Sequence, residues 1–505
     1  MFGLGRSGLA IAKAVQAQGN QAHIFDQASV ASISKPELVE EARAVGAKVV
    51  LGWDGELPNE VSDSPILVTN PAVDSRSPIL RSALDRGFEV ISEIEFAYRI
   101  SIAPIIAITG TNGKSTTTVM TYLCLKSCGI EAILCGNIFG SGYPEVPLTE
   151  AALNSRSDQI LVAEVSSFQL EWTKSFRPVC AGITNIRPDH LDRYDSFDDY
   201  AAAKLKIFAN QTPDDFSVML ANDPIIKPPG GVTSTRRIRR SGAGTSPTTP
   251  GHGLVFTFGA TGENARVDER FLTVLDKQIK VEELPFTEPH NLTNASMAAL
   301  LAFGGLQGAA NRYPHSKAAA VLRASKEDSQ AARALKTHSY NYREMESSTP
   351  KFVMPECVFE GLKNFRGLAH RMEFLGEKAG VKVINNSMCT NPDAVLKSAV
   401  SLRGPNHILI GGKNKGLDFR PLRHYFSNQM HHAYLFGEAK EELAEQIGTP
   451  DRYETMEEAF AAATLRAKSG EVIMLAPGCA STDQFRDFRQ RGDVFKQLAK
   501  EWLEK

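Results

Sequence analysis

The segment from Ala107 to Thr118 reads AITGTNGKSTTT and contains the residue types of a phosphate-binding loop. Its glycines let backbone N–H groups turn toward phosphate oxygens, its lysine adds positive charge, and its serine can offer a hydroxyl to Mg²⁺ at a helix start. Ile108 stands where the general motif has its first glycine. We therefore expect a nucleotide site built on a shortened loop, with a ligand-free glycine turn as the alternative.

A second glycine-rich turn, GLGRSG from Gly3 to Gly8, has spacing typical of a diphosphate site at a helix N-terminus. Asp26 ends the next predicted strand, where an acid can bind a ribose. Taken alone, this pattern is a weak signal that also fits a dinucleotide site for NAD. Almost nothing precedes Gly3, so the strand that should lead into the turn is expected to be missing.

Three blocks of alternating strand and helix patterns surround these turns and predict an α/β protein. The predicted domain boundaries are 1–102, 103–367 and 368–505. Within the middle block, residues from about 214 to 285 indicate a small β-rich excursion. The polar stretch from about 305 to 350 indicates a long insertion, partly disordered or loosely helical.

The composition is that of a globular protein, with 505 residues, 42% hydrophobic residues and a net charge of −2. This balance gives no general attraction to nucleic acid or to an anionic membrane, and we interpret the basic run Arg236–Arg240 as a solvated loop. The seven cysteines include no C-x-x-C pair, which argues against a disulfide framework or a structural zinc site. No long apolar stretch and no signal peptide is evident. We therefore predict a cytoplasmic protein.

The shortened loop resembles the form found in the Mur ligase family, which also includes folylpolyglutamate synthases. Further segments follow the order of that family's motifs, among them AEVSSFQLE, ITNIRPDHLDRY, AAAKLKIF, PHNLTNASMA, GLAHRMEFL, LIGGKNKGLDF and APGCASTDQFRDFRQRGDVF. The first and last of these resemble the branch that adds D-glutamate to UDP-N-acetylmuramoyl-L-alanine, and they argue against the folate branch. The resemblance implies a Rossmann-like domain for the UDP-sugar, a central P-loop ATPase-like domain and a C-terminal Rossmann-like domain for the amino acid.

The resemblance also implies ATP-dependent amide-bond formation through an acyl phosphate, with two Mg²⁺ ions and a carbamylated Lys204. The implied catalytic residues are Lys114, Lys204, His190 and His370, and the implied metal ligands are Ser115, Glu164, His190 and Lys204. ATP binding falls to Gly110, Thr111, Asn112, Gly113, Lys114, Ser115, Thr116, Asn291, Asn294 and Arg371. UDP-sugar binding falls to Gly5, Arg6, Ser7, Asp26, Asn70 and Asn137, and amino-acid binding to Thr390, Lys415, Ser481 and Phe488.

The sequence departs from the family where the motif D-S-K-A-T-N reads NSMCTN. Asn386 replaces the carboxylate and Met388 replaces the cation. Losing both charges leaves no lone charge in the protein interior, so ligase activity is still expected. The acceptor amino acid stays open between D-glutamate and L-glutamate. A homologue that binds a UDP-sugar without catalysis is the non-enzyme alternative. We expect a monomer with ATP, UDP-N-acetylmuramoyl-L-alanine and glutamate as its partners.

Overall fold

The computed structural model describes most of the chain, namely residues 1–33, 35–57, 65–187, 193–226, 253–336, 352–402 and 404–504. Three features of the sequence lie outside these ranges: His190, the basic run Arg236–Arg240, and residues 337–350 of the predicted insertion. No helix among the described residues is both long and apolar enough to cross a membrane.

The chain divides into two compact units. The first unit comprises Met1–Ile138 and Pro144–Phe365, and the second comprises Phe139–Tyr143 and Arg366–Lys505. The first unit thus contains the first predicted domain and most of the second, and a boundary between them near residue 102 stays a prediction. The chain passes into the second unit at Arg366, close to the predicted boundary between residues 367 and 368.

The first unit is an α/β assembly of several sheets. Its elements are α1 (Arg6–Ala17), β1 (His23–Asp26), α2 (Pro36–Ala44), β2 (Lys48–Leu51), β3 (Ile66–Thr69), α3 (Pro78–Asp85), β4 (Glu89–Ser92), α4 (Glu93–Ile100), β5 (Ile105–Thr109), α5 (Lys114–Ser127), β6 (Glu131–Gly136), α6 (Leu148–Leu153), β7 (Gln159–Glu164), α7 (Ser167–Leu170), β8 (Cys180–Ile183), α8 (Phe197–Leu205), β9 (Phe216–Leu220), β10 (Leu254–Phe258), β11 (Ala265–Val267), β12 (Phe271–Val274), β13 (Lys277–Lys280), α9 (Pro289–Arg312), α10 (Lys317–Lys336) and α11 (Glu356–Lys363). The main sheet has the order β10-β9-β8-β5-β7-β6, and all its strands are parallel. Parallel pairs β1-β2 and β3-β4 precede it, and β11 to β13 form a separate antiparallel sheet.

The sequence predicts that no strand leads into the first glycine turn. Met1 and Phe2 are the two residues at that place. Phe2 forms a parallel bridge with Phe25 of β1, and its N–H donates to the carbonyl of Val68 in β3 at 3.2 Å. The expectation is therefore only partly correct. No regular strand forms there, but two residues supply backbone hydrogen bonds to both neighbouring strands.

Helix α9 overturns part of the predicted insertion. Residues 305–312 are the last turns of this helix, and Gly305 and Leu306 are buried. A Cβ on Gly305 would lie 2.1 Å from the Ile106 side chain, and one on Gly308 would lie 2.7 Å from Val179. Glycines thus let the helix approach the main sheet closely, so the segment needs no long apolar stripe. The following residues form α10.

The predicted β-rich excursion contains strands β9 to β13. The first two of these strands extend the main sheet with parallel pairing, and only β11 to β13 form a small sheet of their own. Residues 227–252 of the excursion lie outside the described ranges, so its predicted bounds stay a prediction.

The second unit is built on one six-stranded sheet with the order β14-β15-β19-β16-β17-β18. Its edge strand β14 is antiparallel to β15, and the remaining pairs are parallel. The carboxyl ends of the parallel strands therefore meet at one edge, where ligands bind in open α/β sheets. The elements are β14 (Glu373–Lys378), β15 (Val381–Asn385), α12 (Pro392–Ser401), β16 (Asn406–Gly411), α13 (Arg423–Phe426), β17 (His432–Phe436), α14 (Lys440–Ile447), β18 (Arg452–Tyr453), α15 (Met456–Arg466), β19 (Val472–Gly478) and α16 (Phe488–Glu504).

One disulfide, between Cys128 and Cys357, contradicts the expectation from cysteine spacing. The two residues are 229 positions apart in the chain, so no local motif indicates their pairing. The other five cysteines are free and buried. The prediction that the chain lacks a disulfide framework is therefore wrong for this pair.

Candidate active site

The phosphate-binding loop connects the carboxyl end of β5 to the start of α5. Two of its positions have positive φ, with Gly110 at +145° and Gly113 at +83°. A Cβ on Gly110 would lie 1.9 Å from the hydroxyl of Thr184, and one on Gly113 would lie 2.5 Å from Oδ1 of Asn294. Both positions therefore require glycine. The second contact also places Asn294 against the loop, where the sequence predicted an ATP contact.

Side chains from the segment after β8 and from α8 form hydrogen bonds with the loop. The hydroxyl of Thr184 donates to the carbonyl of Asn112 at 2.6 Å, and Oδ1 of Asn185 accepts from the Asn112 N–H at 3.1 Å. The Thr111 and Tyr200 hydroxyls lie 3.0 Å apart. Sequence reasoning missed these three supporting residues, although all of them belong to or adjoin the family-like segments. Lys114 Nζ donates to the Thr111 carbonyl at 2.9 Å, so it lies over the loop.

Glu164 ends β7 beside this loop and is only 3% exposed. It is in register with Ile108 of β5, and its Oε1 accepts a hydrogen bond from Asn137 Nδ2 at 3.3 Å. Among the residues that the structure describes, its buried Oε2 has no hydrogen-bond partner. A buried carboxylate oxygen is costly unless a donor or a cation satisfies it. Its place next to a phosphate loop fits Mg²⁺, which prefers carboxylate, phosphate and water oxygens.

The protein alone does not supply a complete metal site in the part of the chain that the structure describes. No cluster of three or more His, Cys, Asp or Glu residues that could hold a metal occurs there. Mg²⁺ usually binds through one or two carboxylates together with substrate phosphates, so it needs no such cluster. Ser115, buried at the first turn of α5, is a further hydroxyl ligand in the predicted set.

Lys204 lies on α8, 2% exposed, and its Nζ donates to the carbonyl of Gly110 at 2.9 Å. The ammonium group also lies 4.6 Å from the centre of the Tyr200 ring. The structure thus brings Lys204 to the phosphate loop, and its catalytic role stays a prediction. An ammonium group cannot bind a metal, so a metal-binding role for Lys204 depends on carbamylation.

Arg193 connects the segment after β8 to the turn that follows β3. Its guanidinium donates to the carbonyls of Pro71 and Val73, the second at 2.8 Å, and forms an ion pair with Glu171 at 3.3 Å. It also lies 4.0 Å from the centre of the Phe168 ring, with 12% of its side chain exposed. These contacts fix the turn that carries Asn70. Arg193 belongs to the segment ITNIRPDHLDRY, but nothing in the sequence indicates these contacts.

The first glycine turn carries the predicted UDP contacts. Both oxygens of Asp26 accept backbone N–H groups, from Leu4 at 2.7 Å and Ala28 at 2.8 Å. A Cβ on Gly3 would lie 2.8 Å from Nδ2 of Asn70, so Asn70 borders the turn. The sequence-predicted positions Gly5, Arg6 and Ser7 begin α1, and no atom lies within 4 Å of a Cβ built on Gly5. By contrast, Asn137 lies beside Glu164 rather than at this turn.

Asn291, a predicted ATP contact, forms a hydrogen bond away from the loop. Its Nδ2 donates to Glu288 at 3.2 Å, within the first turn of α9. Its assignment to ATP stays a prediction.

In the second unit, His370 is buried with φ +59° at the start of the family-like segment. Its backbone N–H donates to Glu373 at 2.8 Å, and its Nδ1 accepts from Asn385 Nδ2 at 3.1 Å. Burial is the main cause that lowers the pKa of His370, and the nearby cation Lys496 adds to it. The ring is therefore neutral at pH 7. Its Nε2 lies 3.6 Å from Asp493, which favours the proton on that nitrogen.

Arg491 joins the loops that follow β15 and β19. Its guanidinium is fully buried and donates to Oγ and the carbonyl of Ser387, at 3.1 and 3.0 Å, and to the carbonyl of Cys479 at 3.2 Å. Within the described ranges it has no carboxylate at salt-bridge distance, and burial lowers its pKa to about 10. This arginine lies in the RQRGDVF segment, but sequence reasoning did not select it.

Three of the four predicted amino-acid contacts follow strand ends at the same edge of the sheet. Thr390 comes after β15, Lys415 after β16 and Ser481 after β19, and Phe488 begins α16. Ser481 is buried, Lys415 is exposed, and the other two are half-buried. The Phe488 ring lies edge-on to His370, with ring centres 6.1 Å apart. A cation and hydroxyls on one sheet edge suit a ligand with carboxylates.

The two residues that depart from the family motif both contact polar groups of the second unit. Asn386 accepts from the Met372 N–H at 3.2 Å and donates from Nδ2 to Ser398 at 2.9 Å, a donation that a carboxylate could not make. The sulfur of Met388 lies 3.3 Å from Nη2 of Arg371. The assignment of Arg371 to ATP stays a prediction.

Comparisons with known proteins agree with these motifs along the whole chain. Residues 108–302 match the model described as Mur ligase middle domain, and residues 370–479 match the model described as Mur ligase, glutamate ligase domain. A protein from Geobacter metallireducens named UDP-N-acetylmuramoylalanine--D-glutamate ligase is 32% identical, with 98% of this chain and 95% of the relative covered. The protein of the same name from Caldanaerobacter subterraneus is 31% identical over 98% of this chain and 96% of the relative.

A solved structure shares the fold. The MurF ligase from Thermotoga maritima in complex with ADP superimposes with a TM-score of 0.54 at 14% identity, covering 99% of this chain and 98% of that one. This similarity confirms the predicted multi-domain α/β architecture, and the full-length relatives confirm the predicted family. By its sequence, its domains and its fold, the chain belongs to the Mur ligase family.

Proposed function

We propose that this protein is an ATP-dependent ligase that joins D-glutamate to UDP-N-acetylmuramoyl-L-alanine in the cytoplasmic synthesis of peptidoglycan precursors. The names of the full-length relatives support the substrates. The observation that carries the chemistry is Glu164, a buried carboxylate beside a phosphate-binding loop, one of whose oxygens has no partner among the described residues. Such a group is suited to help neutralise phosphate charge through a bound cation.

The reaction needs activation because a carboxylate is a poor electrophile. In the first step the substrate's carboxylate attacks the γ-phosphorus of ATP, and ADP leaves. In the second step the amine of glutamate attacks the acyl carbon, phosphate leaves, and a proton is lost from nitrogen. Negative charge develops on phosphoryl and carboxylate oxygens in both steps, so cationic groups around them lower the barrier.

The first unit would hold the nucleotide and the UDP-sugar. The N–H groups of the loop and the ammonium of Lys114 bind the β- and γ-phosphates. Glu164, Ser115, a carbamylated Lys204 and His190 would hold two Mg²⁺ ions, which when bound screen the phosphate charge. The turn at Gly5 to Ser7, together with Asp26, Asn70 and Asn137, would bind the UDP-sugar.

The second unit would hold the amino acid. Lys415 supplies the charge for a carboxylate, Thr390 and Ser481 supply hydroxyls, and Phe488 covers the methylene groups of glutamate. Neutral His370 can accept or donate a proton near the amine. We further propose that the protein acts as a monomer.

The test is phosphate release by the purified protein with ATP, Mg²⁺ and UDP-N-acetylmuramoyl-L-alanine, with D-glutamate, L-glutamate or no amino acid, and with product mass as a second readout. Turnover with D-glutamate and a product heavier by one glutamyl residue is the expected result. Absence of turnover with either isomer would refute the ligase proposal and favour a binding-only homologue.

L-Glutamate is the second candidate acceptor, because Asn386 and Met388 replace two charged groups of the family motif. Turnover that prefers L-glutamate would move the proposal to that acceptor and assign changed specificity to this segment.

A further inference from the structure

The disulfide joins the end of one helix of the first unit to the start of another. Cys128 is the residue that caps α5, the helix that begins at Lys114 of the phosphate loop. Cys357 lies in the first turn of α11, the last helix before the chain passes into the second unit at Arg366. The bond therefore links the helix of the nucleotide loop to the last helix of its unit.

The two helices bring these sulfurs together independently of the bond. A Cβ on Gly361 of α11 would lie 2.3 Å from the Cα of Cys124 in α5, so the two helix backbones are in contact. Asn364 Nδ2 donates to the hydroxyl of Ser127 at 3.3 Å, one residue from Cys128. Because packing and hydrogen bonding position the helices, two thiols at these places would stay close after reduction.

Accessibility distinguishes this pair from the other cysteines. Cys128 and Cys357 are each partly exposed, whereas the five free cysteines are buried. Burial also raises the pKa of the free thiols, to about 12 for Cys389 and Cys479, so they contribute little thiolate at neutral pH. A solution reductant or oxidant can therefore reach one pair selectively.

We propose that Cys128 and Cys357 form a reversible thiol–disulfide site that braces α11 against α5 in the oxidised protein. A low-molecular-weight disulfide, RSSR, is the oxidant. One cysteine thiolate attacks RSSR and releases one RS⁻, and the second thiolate then displaces the other RS⁻ from the mixed disulfide. In sum, two protein thiols lose two electrons and two protons, and RSSR becomes two RSH. Reduction by excess RSH reverses both steps.

The test uses the full-length protein equilibrated in glutathione buffers from fully reduced to fully oxidised. Free thiols are alkylated, the modified peptides are identified by mass, and thermal unfolding is recorded at each ratio. Oxidation is expected to protect only the peptides of Cys128 and Cys357 and to raise one unfolding transition by about 5 °C or more, because a long covalent loop restricts the unfolded chain. Return to reducing buffer should restore both signals.

Cys128→Ser, Cys357→Ser and the double variant are the matched controls. Each should unfold like the reduced wild-type protein and should show no shift with oxidation. Labelling of both cysteines in every buffer, or a wild-type unfolding temperature that does not change with oxidation, would overturn the proposal. A shift that persists in the single variants would also overturn it, because it would then come from other thiols.

Discussion

Glu164 is the residue whose charge matters most for the proposed chemistry. Its buried Oε2 has no partner in the described part of the chain, so a cation at the phosphate loop would use its negative charge directly. We expect Glu164→Gln to keep the shape and the bond to Asn137 but to lower kcat by about 100-fold or more, the usual cost of losing one electrostatic contact in a transition state. Steady-state phosphate release at several Mg²⁺ concentrations measures this effect.

Glu131→Gln is the control for that substitution. Glu131 begins the neighbouring strand β6, at the end of the sheet away from Glu164, and it is exposed. Its variant should keep kcat within a factor of about two, since surface charges contribute little. Equal losses in the two variants, or wild-type activity in Glu164→Gln, would contradict the role of Glu164.

Arg193 should affect the UDP-sugar more than the chemical step. Its loss removes the donors to the Pro71 and Val73 carbonyls that fix the turn bearing Asn70. We expect Arg193→Ala to raise the KM for the UDP-sugar about tenfold while kcat changes little, because a displaced binding turn weakens ground and transition states alike. Arg193→Lys, which keeps one donor group, should recover part of the affinity. If Arg193→Ala lowered kcat and left the KM for the UDP-sugar unchanged, the proposed positioning role of Arg193 would be contradicted.

At the residue scale, the sequence predicted the groups that carry charge or bind phosphate better than the groups that support them. Lys114, Lys204 and Glu164 belong to motifs whose chemistry is recognisable, and the structure brings all three to the end of the main sheet. Thr184 and Arg491 are different. Their roles are hydrogen bonds to carbonyls of segments distant in the chain, and neither residue type nor spacing indicates such a partner.

At the element scale, the contact between α11 and α5 depends on one small residue. A methyl group on Gly361 would meet the backbone of Cys124 and Leu123 at 2.3 to 2.6 Å. The helices must therefore separate in Gly361→Ala, which we expect to cost about 1–3 kcal/mol of unfolding free energy, as for other overpacked sites. Denaturant unfolding of the reduced protein measures this cost.

The neighbouring substitution Glu360→Ala is the control for the helix contact. Glu360 is exposed on the same helix, and alanine has the higher helix propensity. This variant should change stability by less than about 0.5 kcal/mol. A Gly361→Ala protein as stable as this control would mean that the two helices do not touch through their backbones.

The central strand of the second unit carries a buried histidine that should make its stability depend on pH. His407 of β16 is 2% exposed. Its Nδ1 forms a hydrogen bond with the hydroxyl of Tyr434 and its Nε2 forms one with the carboxylate of Glu471, each at 2.8 Å. Burial is the main cause that lowers its pKa, although Glu471 opposes the shift. The folded state therefore binds fewer protons than the unfolded state near pH 6, and stability should be present above about pH 6.5 and lost as the pH falls.

The measurement is the urea midpoint of the full-length protein between pH 8 and pH 5, compared with that of His407→Gln. The wild-type midpoint should fall more steeply with acid than the midpoint of the variant, which has no group to protonate at this site. Parallel pH profiles would show that His407 does not carry the effect.

Elements were predicted well where their pattern was local and poorly where a partner decided the outcome. The strand before the phosphate loop, with every residue buried, reads directly as a central parallel strand. The sequence at the end of α9 is polar and contains glycines, so it does not indicate a buried helix. The helix is explained only by the sheet against which Gly305 and Gly308 pack. The backbone bonds of Met1 and Phe2 have the same origin, because they depend on β1 and β3 rather than on the two side chains.

At the scale of the whole molecule, the two units should respond to different ligands. The loop residues from Gly110 to Thr116 lie in the first unit, and Thr390, Lys415, Ser481 and Phe488 lie in the second. Ligands that bind a folded unit suppress its local opening by an amount set by ligand concentration over Kd, about 2.7 kcal/mol at one hundred times Kd. Amide hydrogen exchange on the full chain, analysed by peptide, should therefore separate the two responses.

ADP with Mg²⁺ should slow exchange in peptides from β5 and α5, and this protection should vanish in Lys114→Ala. D-Glutamate should slow exchange in peptides after β15 and β19, and that protection should weaken in Lys415→Ala but persist in Lys114→Ala. If glutamate protected the first unit alone, the amino-acid site would have been assigned to the wrong part of the chain, and the proposed division of binding between the two units would fail.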